Sequence, residues 1–230
     1  MNVLITGVSS GIGMKIADRY LEKGWNVIGH YHSNEVHKIS NSFSALQADF
    51  SDKKSIGSFL NAISQVHIDA LINNAGTYVS QADFKELTLE EIQKTFMINT
   101  FAPMMIASAI FANMIADNFG RIVNISSIAA KYGGSAKSMP YGASKRALEG
   151  LTKTLAKEGA KYDVLVNTIR PGVIDTNFHK RCPKDMKDRI NMIPVKKIGI
   201  PEDIAGVAYY LGSGENKYIT NETVTIAGGE

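Results

Sequence analysis

Alternation constrains the fold of this chain more than any other feature: short apolar runs that read as strands recur along it, separated by stretches with helical spacing. Strands are expected near residues 2–6, 25–30, 44–48, 68–73, 121–126, 163–169 and 223–226, and helices notably over 88–117, 140–160 and 201–211. Such alternation predicts a doubly wound α/β fold, a parallel sheet covered by helices on both faces. No repeat, low-complexity tract or linker divides the 230 residues, so residues 1–230 are expected to form a single domain. A hydrophobic content of 44% is ample for its core. In sheets of this kind ligands bind beyond the carboxyl ends of the strands.

The first unit is the most informative locally. Met1–Thr6 reads as a buried strand, Gly7-Val8-Ser9-Ser10-Gly11-Ile12-Gly13 as a turn, and Met14–Lys23 as a helix with apolar spacing at Ile16, Ala17, Tyr20 and Leu21. A glycine turn between strand and helix is the setting in which backbone N–H groups at a helix N-terminus receive a pyrophosphate. Farther along stand Tyr141 and Lys145, spaced Y-x-x-x-K. On a helix these positions share a face. A tyrosine with an ordinary pKa near 10 is a poor acid–base catalyst at neutral pH, and an adjacent cation lowers that value. By itself the pair is as well explained by a solvated helix face. Its company decides.

Thr6-Gly7-x-x-x-Gly11-Ile12-Gly13 resembles the cofactor motif of the short-chain dehydrogenase/reductase family. Asn73-Asn74-Ala75-Gly76 is similar to its N-N-A-G segment, and Arg121–Ser127 to the strand that delivers its catalytic serine. Tyr141 and Lys145 match its catalytic pair, Pro171-Gly172-x-x-x-Thr176 its P-G-x-x-x-T, and Pro201–Ala205 and Ala227–Gly229 its tail. These motifs follow the family's order over essentially the whole chain, and the general pattern is nearest to the 3-oxoacyl-acyl-carrier-protein reductases.

The resemblance implies a Rossmann fold, a nicotinamide cofactor and reduction of a ketone or its reverse. Asn99, Ser127, Tyr141 and Lys145 would be the catalytic set: the serine holding the substrate oxygen, the tyrosine giving the proton, the lysine tuning the tyrosine and holding the nicotinamide ribose, the asparagine holding a water that passes protons toward the lysine. Ser126 competes with Ser127. From Ser127 to Tyr141 the chain is one residue longer than the family's usual spacing, an insertion near Lys137–Pro140, and Ser126 would require two. Cofactor contacts are expected from Gly7, Ser9, Ser10, Gly11, Ile12, Gly13, Tyr31, His32, Ser33, Asp49, Phe50, Asn74, Ala75, Gly76, Tyr141, Lys145, Pro171, Gly172, Ile174 and Thr176. Tyr31 stands where NAD-preferring members carry Asp, while Ser10 and His32 stand where NADP-preferring members often carry Arg or Lys. With the repelling acid missing, and Ser10, His32, Ser33 and Asn34 able to hydrogen-bond a 2′-phosphate, the expectation is NADP(H), with NAD(H) as the alternative. Asp49-Phe50 resembles the adenine-binding pair, with Phe50 as an enlarged wall.

Other features narrow the class. A net charge of +3, spread without runs, gives no reason to expect nucleic acid. One cysteine, Cys182, excludes an internal disulfide, and His30 and His32 lack the partners of a metal site. No signal peptide and no membrane-spanning run is read, so a cytoplasmic protein is expected. The resemblance implies a homotetramer or homodimer, packed through the 88–117 and 140–160 helices and the C-terminal strand. A carrier-borne acyl thioester is weighed against two stretches that are basic in acyl-carrier-protein reductases: Ala116–Gly120 is acidic here with only Arg121 beside it, while Lys157 and Lys161 keep some charge. A lid is expected over 177–195, basic through Lys180, Arg181, Lys184, Lys187 and Arg189, with Tyr78, Met139 and Ile174 shaping the pocket. The competing reading is a catalytically quiet dinucleotide-binding sensor or partner subunit, which typically loses Tyr, Lys or Ser. An enoyl reductase would space tyrosine and lysine farther apart.

Overall fold

The computed structural model describes residues 1–34, 36, 40–78, 83–178 and 186–230. Its strands are β1 (Asn2–Thr6), β2 (Asn26–Tyr31), β3 (Phe43–Gln47), β4 (Ala70–Asn73), β5 (Gly120–Ile125), β6 (Val164–Pro171) and β7 (Thr223–Ile226). They form one parallel sheet in the order β3-β2-β1-β4-β5-β6-β7. All seven expected strands are present, β1 and β7 with the expected bounds and the others with ends displaced by one or two residues. The order reverses between β1 and β4, and a crevice opens at the carboxyl ends there.

Strand side chains alternate between two cores, as the period of two requires. Val3, Ile5, Ile72 and Val123 pack with Ile16 and Tyr20 of α1 (Gly11–Glu22) and Ile204 and Ala208 of α8 (Pro201–Leu211). Leu4, Leu71, Ile122 and Val166 face the other way, onto Phe59 and Ile63 of α2 (Lys53–Ser64) and Ile106 and Ile110 of α4 (Ala102–Ala116). Each fully buried aliphatic side chain of this kind contributes about 1.5–3 kcal/mol. Both faces of the central strands are therefore paid for by helices, as a parallel sheet demands.

The helix expected over 88–117 is three pieces. Thr88 and Glu91 close a capping box on α3 (Leu89–Phe96), a π turn spans Met97–Phe101, and α4 continues with Pro103 in its first turn. Phe96–Ala116 carries no charged residue. Contrary to the sequence expectation, the stretch Leu89–Ala116 is long and apolar enough to cross a membrane by length and composition. In this fold it is a core helix: Ala102, Ile106, Ala107, Ile110 and Met114 are buried in it. The expected 140–160 helix is α6 (Met139–Gly159), and α1 begins at Gly11 rather than Met14 because the end of the glycine turn is already helical. Asn221 adopts φ 64°, a left-handed conformation that asparagine tolerates.

Candidate active site

The glycine turn is held from below. Gly7 and Gly11 have φ of 77° and 58°, left-handed conformations that glycine adopts most readily. A Cβ on Gly13 would lie 2.1 Å from the Gly7 carbonyl oxygen. Thr6 Oγ1 accepts from the backbone N–H of Asn74 (3.0 Å) and Ala75 (2.9 Å), and Asn74 Nδ2 donates to the carbonyls of Thr6 (2.9 Å) and Gly7 (3.1 Å). Asn74, expected to contact the cofactor, thus uses its amide to fasten the turn to β4. A Cβ on Gly11 would come 3.1 Å from Thr176 Cγ2, so the last motif meets the first. Ser10 caps α1 with extended backbone and makes no side-chain cap bond. The first-turn N–H groups of a helix have no partners within it, which suits them to a pyrophosphate. Turn, helix N-terminus and Thr176 form a cradle whose close approaches forbid side chains, and a dinucleotide fits it.

At the end of β2, Tyr31 is half-buried and His32–Asn34 are exposed. His32 Nε2 lies 3.5 Å from Asp49 Oδ2, and Gln47 Nε2 donates to the His32 carbonyl (2.9 Å). Asp49 Oδ1 also accepts from Ser51 N and Oγ, and hydrogen bonds from Ser51, the first cause, together with the charges of His32 and Lys94 outweigh desolvation and hold its pKa below the usual value. Phe50 departs from its expected role. Its ring is buried, stacked on His30 with centroids 3.9 Å apart and edge-on to Phe59, so it is a core residue rather than an adenine wall. The signal missed was His30: it is itself buried, with Nε2 bonded to the Ala48 carbonyl (3.0 Å) and Nδ1 accepting from Gly7 N (3.3 Å). Desolvation lowers its pKa to about 4, so it stays neutral and supports the turn.

The four proposed catalytic residues come from three elements. Ser127 follows β5. Between it and α6 lie the short helix α5 (Ala129–Tyr132) and a glycine loop with Gly133 and Gly134 at positive φ. The loop closes in a turn where Ser135 N donates to Ser138 Oγ (2.6 Å) and Ser138 N to the Ser135 carbonyl (2.8 Å). A Cβ on Gly142 would meet the carbonyls of Gly133 and Ala129 at 3.0 and 3.2 Å, which shows how closely the start of α6 approaches the residues after Ser127. The serines divide cleanly. Ser126 is buried and donates to Glu149 Oε1 (2.8 Å), while Ser127 is partly exposed and its Oγ accepts from Ala129 N (3.1 Å). Of the two, Ser127 is the one left partly exposed.

Tyr141 is flanked by Tyr78 and Phe178 at 5.9 and 5.7 Å between ring centroids, and the Tyr78 hydroxyl donates to the Lys137 carbonyl. Lys145, one turn on, is 3% exposed and donates to the Ile125 carbonyl (2.8 Å). Burial lowers its pKa from 10.5 to about 8. Asn99 sits in the π turn, a distortion often found at functional sites. Its Nδ2 donates to the Thr77 carbonyl (2.9 Å) and Ser144 Oγ (3.0 Å), and its Oδ1 accepts from Thr77 N (2.8 Å). Ser144, between the tyrosine and the lysine, escaped sequence reasoning, since nothing local marks it. A Cβ placed on Gly76 would lie 3.1 Å from Lys145 Nζ and 3.4 Å from Asn99 Oδ1, so both groups converge over that glycine.

The cations considered for carrier docking lie elsewhere. Arg121 is fully buried, bound to Asp163 and to the carbonyls of Ser213 and Asn216. Lys157 and Lys161 are exposed, but Lys157 lies 16 residues beyond Tyr141, roughly 24 Å along a helix. On the described part of the lid, α7 (Met186–Met192), Arg189 pairs with Glu230. Lys180, Arg181, Cys182 and Lys184 lie outside the described residues. Pro171 ends β6, Gly172 packs on Ala227, and Ile174 is buried beside Gly199. His30 and His32 are committed to different partners.

Comparison with known proteins agrees with this geometry. The family model for short chain dehydrogenases matches residues 1–187. The 3-oxoacyl-acyl-carrier-protein reductase of Buchnera aphidicola subsp. Schizaphis graminum is 33% identical over 234 residues, 98% of this chain and 95% of the relative. Among solved structures, a blue fluorescent protein from a metagenomic library in complex with NADPH superposes with a TM-score of 0.89 at 30% identity, covering 99% of this chain and 96% of that one. A 4-hydroxyisoleucine dehydrogenase complexed with NADH gives 0.90 at 29%, covering 99% and 97%. The chain belongs to the short-chain dehydrogenase family and is an NAD(P)-dependent oxidoreductase of that family.

Proposed function

We propose that this protein reduces a ketone to a secondary alcohol, or catalyses the reverse, with NADP(H), a 3-oxoacyl thioester being the first substrate to try. The observation that carries the reading is the buried Lys145, its pKa lowered toward neutrality, one helical turn from Tyr141. When bound, the nicotinamide supplies or accepts the hydride. The residues of the glycine turn, with Thr176, would hold its pyrophosphate, and Ala75, Gly76, Pro171 and Gly172 would wall its nicotinamide end. Ser127 hydrogen-bonds the substrate oxygen and Tyr141 gives it a proton. Lys145 makes that proton available by favouring the phenolate. Asn99 Oδ1, converging with Lys145 Nζ over Gly76, suits a water that replenishes it. A quiet sensor is disfavoured because Asn99, Ser127, Tyr141 and Lys145 are all retained. Oxidation of NADPH and NADH with acetoacetyl-CoA and with simple ketones tests the reading. Turnover with NADPH supports it, and NADPH binding with no turnover on any ketone favours the sensor.

The preference for NADP(H) rests on the lack of an acid at 31–34 and the polar, exposed His32–Asn34. Tyr31→Asp is expected to shift the NADPH:NADH ratio of kcat/KM toward NADH by about tenfold or more, because a carboxylate there binds a ribose hydroxyl and repels a phosphate. An unchanged ratio overturns this placement. A second copy of the chain is proposed to cover α4, where the exposed Met104 and Met105 form a largely apolar surface with Leu60, Ser108 and Ala109, and Phe101 is exposed just before the helix. Light scattering should give two or four times 25.0 kDa, and a monomer mass contradicts it.

A further inference from the structure

Besides the π turn with Asn99, the proposed chemistry needs three elements in register: the end of β5 with Ser127, α6 with Tyr141 and Lys145, and the end of β6 with Pro171 and Gly172. Glu149 touches all three. It lies one turn beyond Lys145 on α6, and its side chain is 5% exposed. Its carboxylate accepts from Ser126 Oγ (2.8 Å), Arg170 Nε (2.9 Å), Arg170 Nη2 (2.8 Å) and Arg146 Nη1 (3.1 Å). Each donor is the chain neighbour of a working residue: Ser126 of Ser127, Arg170 of Pro171, Arg146 of Lys145. Ser126 Oγ is also 3.4 Å from the Lys145 carbonyl oxygen.

Stability alone does not account for this cluster. A buried ion pair is often no better than well-packed apolar side chains, because desolvation offsets the attraction. What the pair offers is geometry, since a bidentate guanidinium–carboxylate contact fixes direction as well as distance. Burial raises the Glu149 pKa, but hydrogen bonds from Arg170 and Ser126, with the charges of Arg170 and Arg146, outweigh it and leave the value below normal. The carboxylate stays ionised across the neutral range. Arg170 responds in kind, its pKa raised first by the hydrogen bond to Glu149.

We propose that Glu149 is the positioning residue of this active site, holding the ends of β5 and β6 at fixed distances from Tyr141 and Lys145 through Ser126 and Arg170. The proposal rests on the oxidoreductase reading above and adds a residue that does not touch substrate or cofactor.

The test is Glu149→Gln, which keeps size and removes the charge, read by kcat, KM, NADPH affinity, melting temperature and the ionisation of Tyr141. The tyrosine is followed by NMR of ring-labelled protein, with Tyr141→Phe to assign its signal. The expected result is a fall in kcat of about a hundredfold, as for a misplacement near 1 Å. KM and NADPH affinity should stay within about threefold, the pattern of lost transition-state interaction. The Tyr141 pKa should rise by about one unit as Lys145 shifts. Glu149→Asp, charged but shorter, should recover part of kcat. Should Glu149→Gln not fold, Ser126→Ala removes one arm with little change in volume and should move kcat and the tyrosine in the same directions. A folded variant with wild-type kcat and unmoved Tyr141 ionisation overturns the proposal. The tyrosine readout needs no turnover, so a failed oxidoreductase reading, seen as no reaction on any ketone, is distinguished from failed positioning.

Discussion

Tyr141→Phe is expected to lower kcat for NADPH-dependent ketone reduction by about a thousandfold, within the range of a lost general acid. The substitution removes one hydroxyl and keeps the ring between Tyr78 and Phe178, so those aromatic contacts survive. NADPH affinity and melting temperature should therefore stay near wild type. The loss belongs in kcat rather than KM, because the proton is transferred only as the oxygen gains charge. Steady-state kinetics with fluorescence titration of NADPH checks this, and a variant that keeps more than about a tenth of wild-type kcat would contradict the assignment of the proton donor.

Lys145→Met should lower kcat by about a hundredfold or more at neutral pH, since the phenol returns toward its ordinary pKa near 10 and becomes a weaker acid. Stability should move the other way or stay level. Burial lowers the Lys145 pKa from 10.5 to about 8, which corresponds to roughly 3 kcal/mol of penalty on the charged form. The folded chain binds this proton less tightly than the unfolded chain does. The penalty is therefore full below about pH 8 and fades as pH rises toward 10.5, so stability from this residue increases across that window. Methionine escapes the penalty but loses the bond to the Ile125 carbonyl, worth about 1.5–3 kcal/mol for a charged donor. The two nearly cancel. At pH 7 the variant should melt at the wild-type temperature or a few degrees above it, since about 1 kcal/mol moves a domain of this size by about 2–4 °C. A fall of more than about 5 °C would show that the lysine is mainly structural. In the wild type, kcat for reduction should decline above about pH 8, as Lys145 sheds the charge that supports the tyrosine.

Much of this site was legible in the sequence because its parts are local. The glycine turn, the Y-x-x-x-K pair and the strand–turn–helix rhythm need only near neighbours to be read; that Gly11 lies against Thr176 and Lys145 donates to the Ile125 carbonyl emerges only in the structure. Contacts between distant segments were not legible. Phe50 reads as a wall for adenine until His30, from the neighbouring strand, is found stacked upon it. Arg121 reads as a surface cation until Asp163 and the carbonyls of the 213–216 turn surround it. Asn74 resembles a ligand contact, yet its amide fastens the turn. The π turn around Asn99 leaves no periodic trace, because one extra residue in a helix changes the apolar phase too little to see. Glu149 and Arg170 lie 21 residues apart and pair only because α6 packs on β6.

The central claim, hydride transfer to a ketone carbon with Tyr141 as proton donor, is tested most directly with NADPH deuterated at nicotinamide C4. Wild type and Tyr141→Phe are incubated with acetoacetyl-CoA and with simple ketones, and the products are weighed by mass spectrometry. The account predicts an alcohol carrying deuterium at its carbinol carbon from the wild type and almost none from the variant. NADPH bound by both proteins, with no labelled alcohol from any ketone, would contradict it.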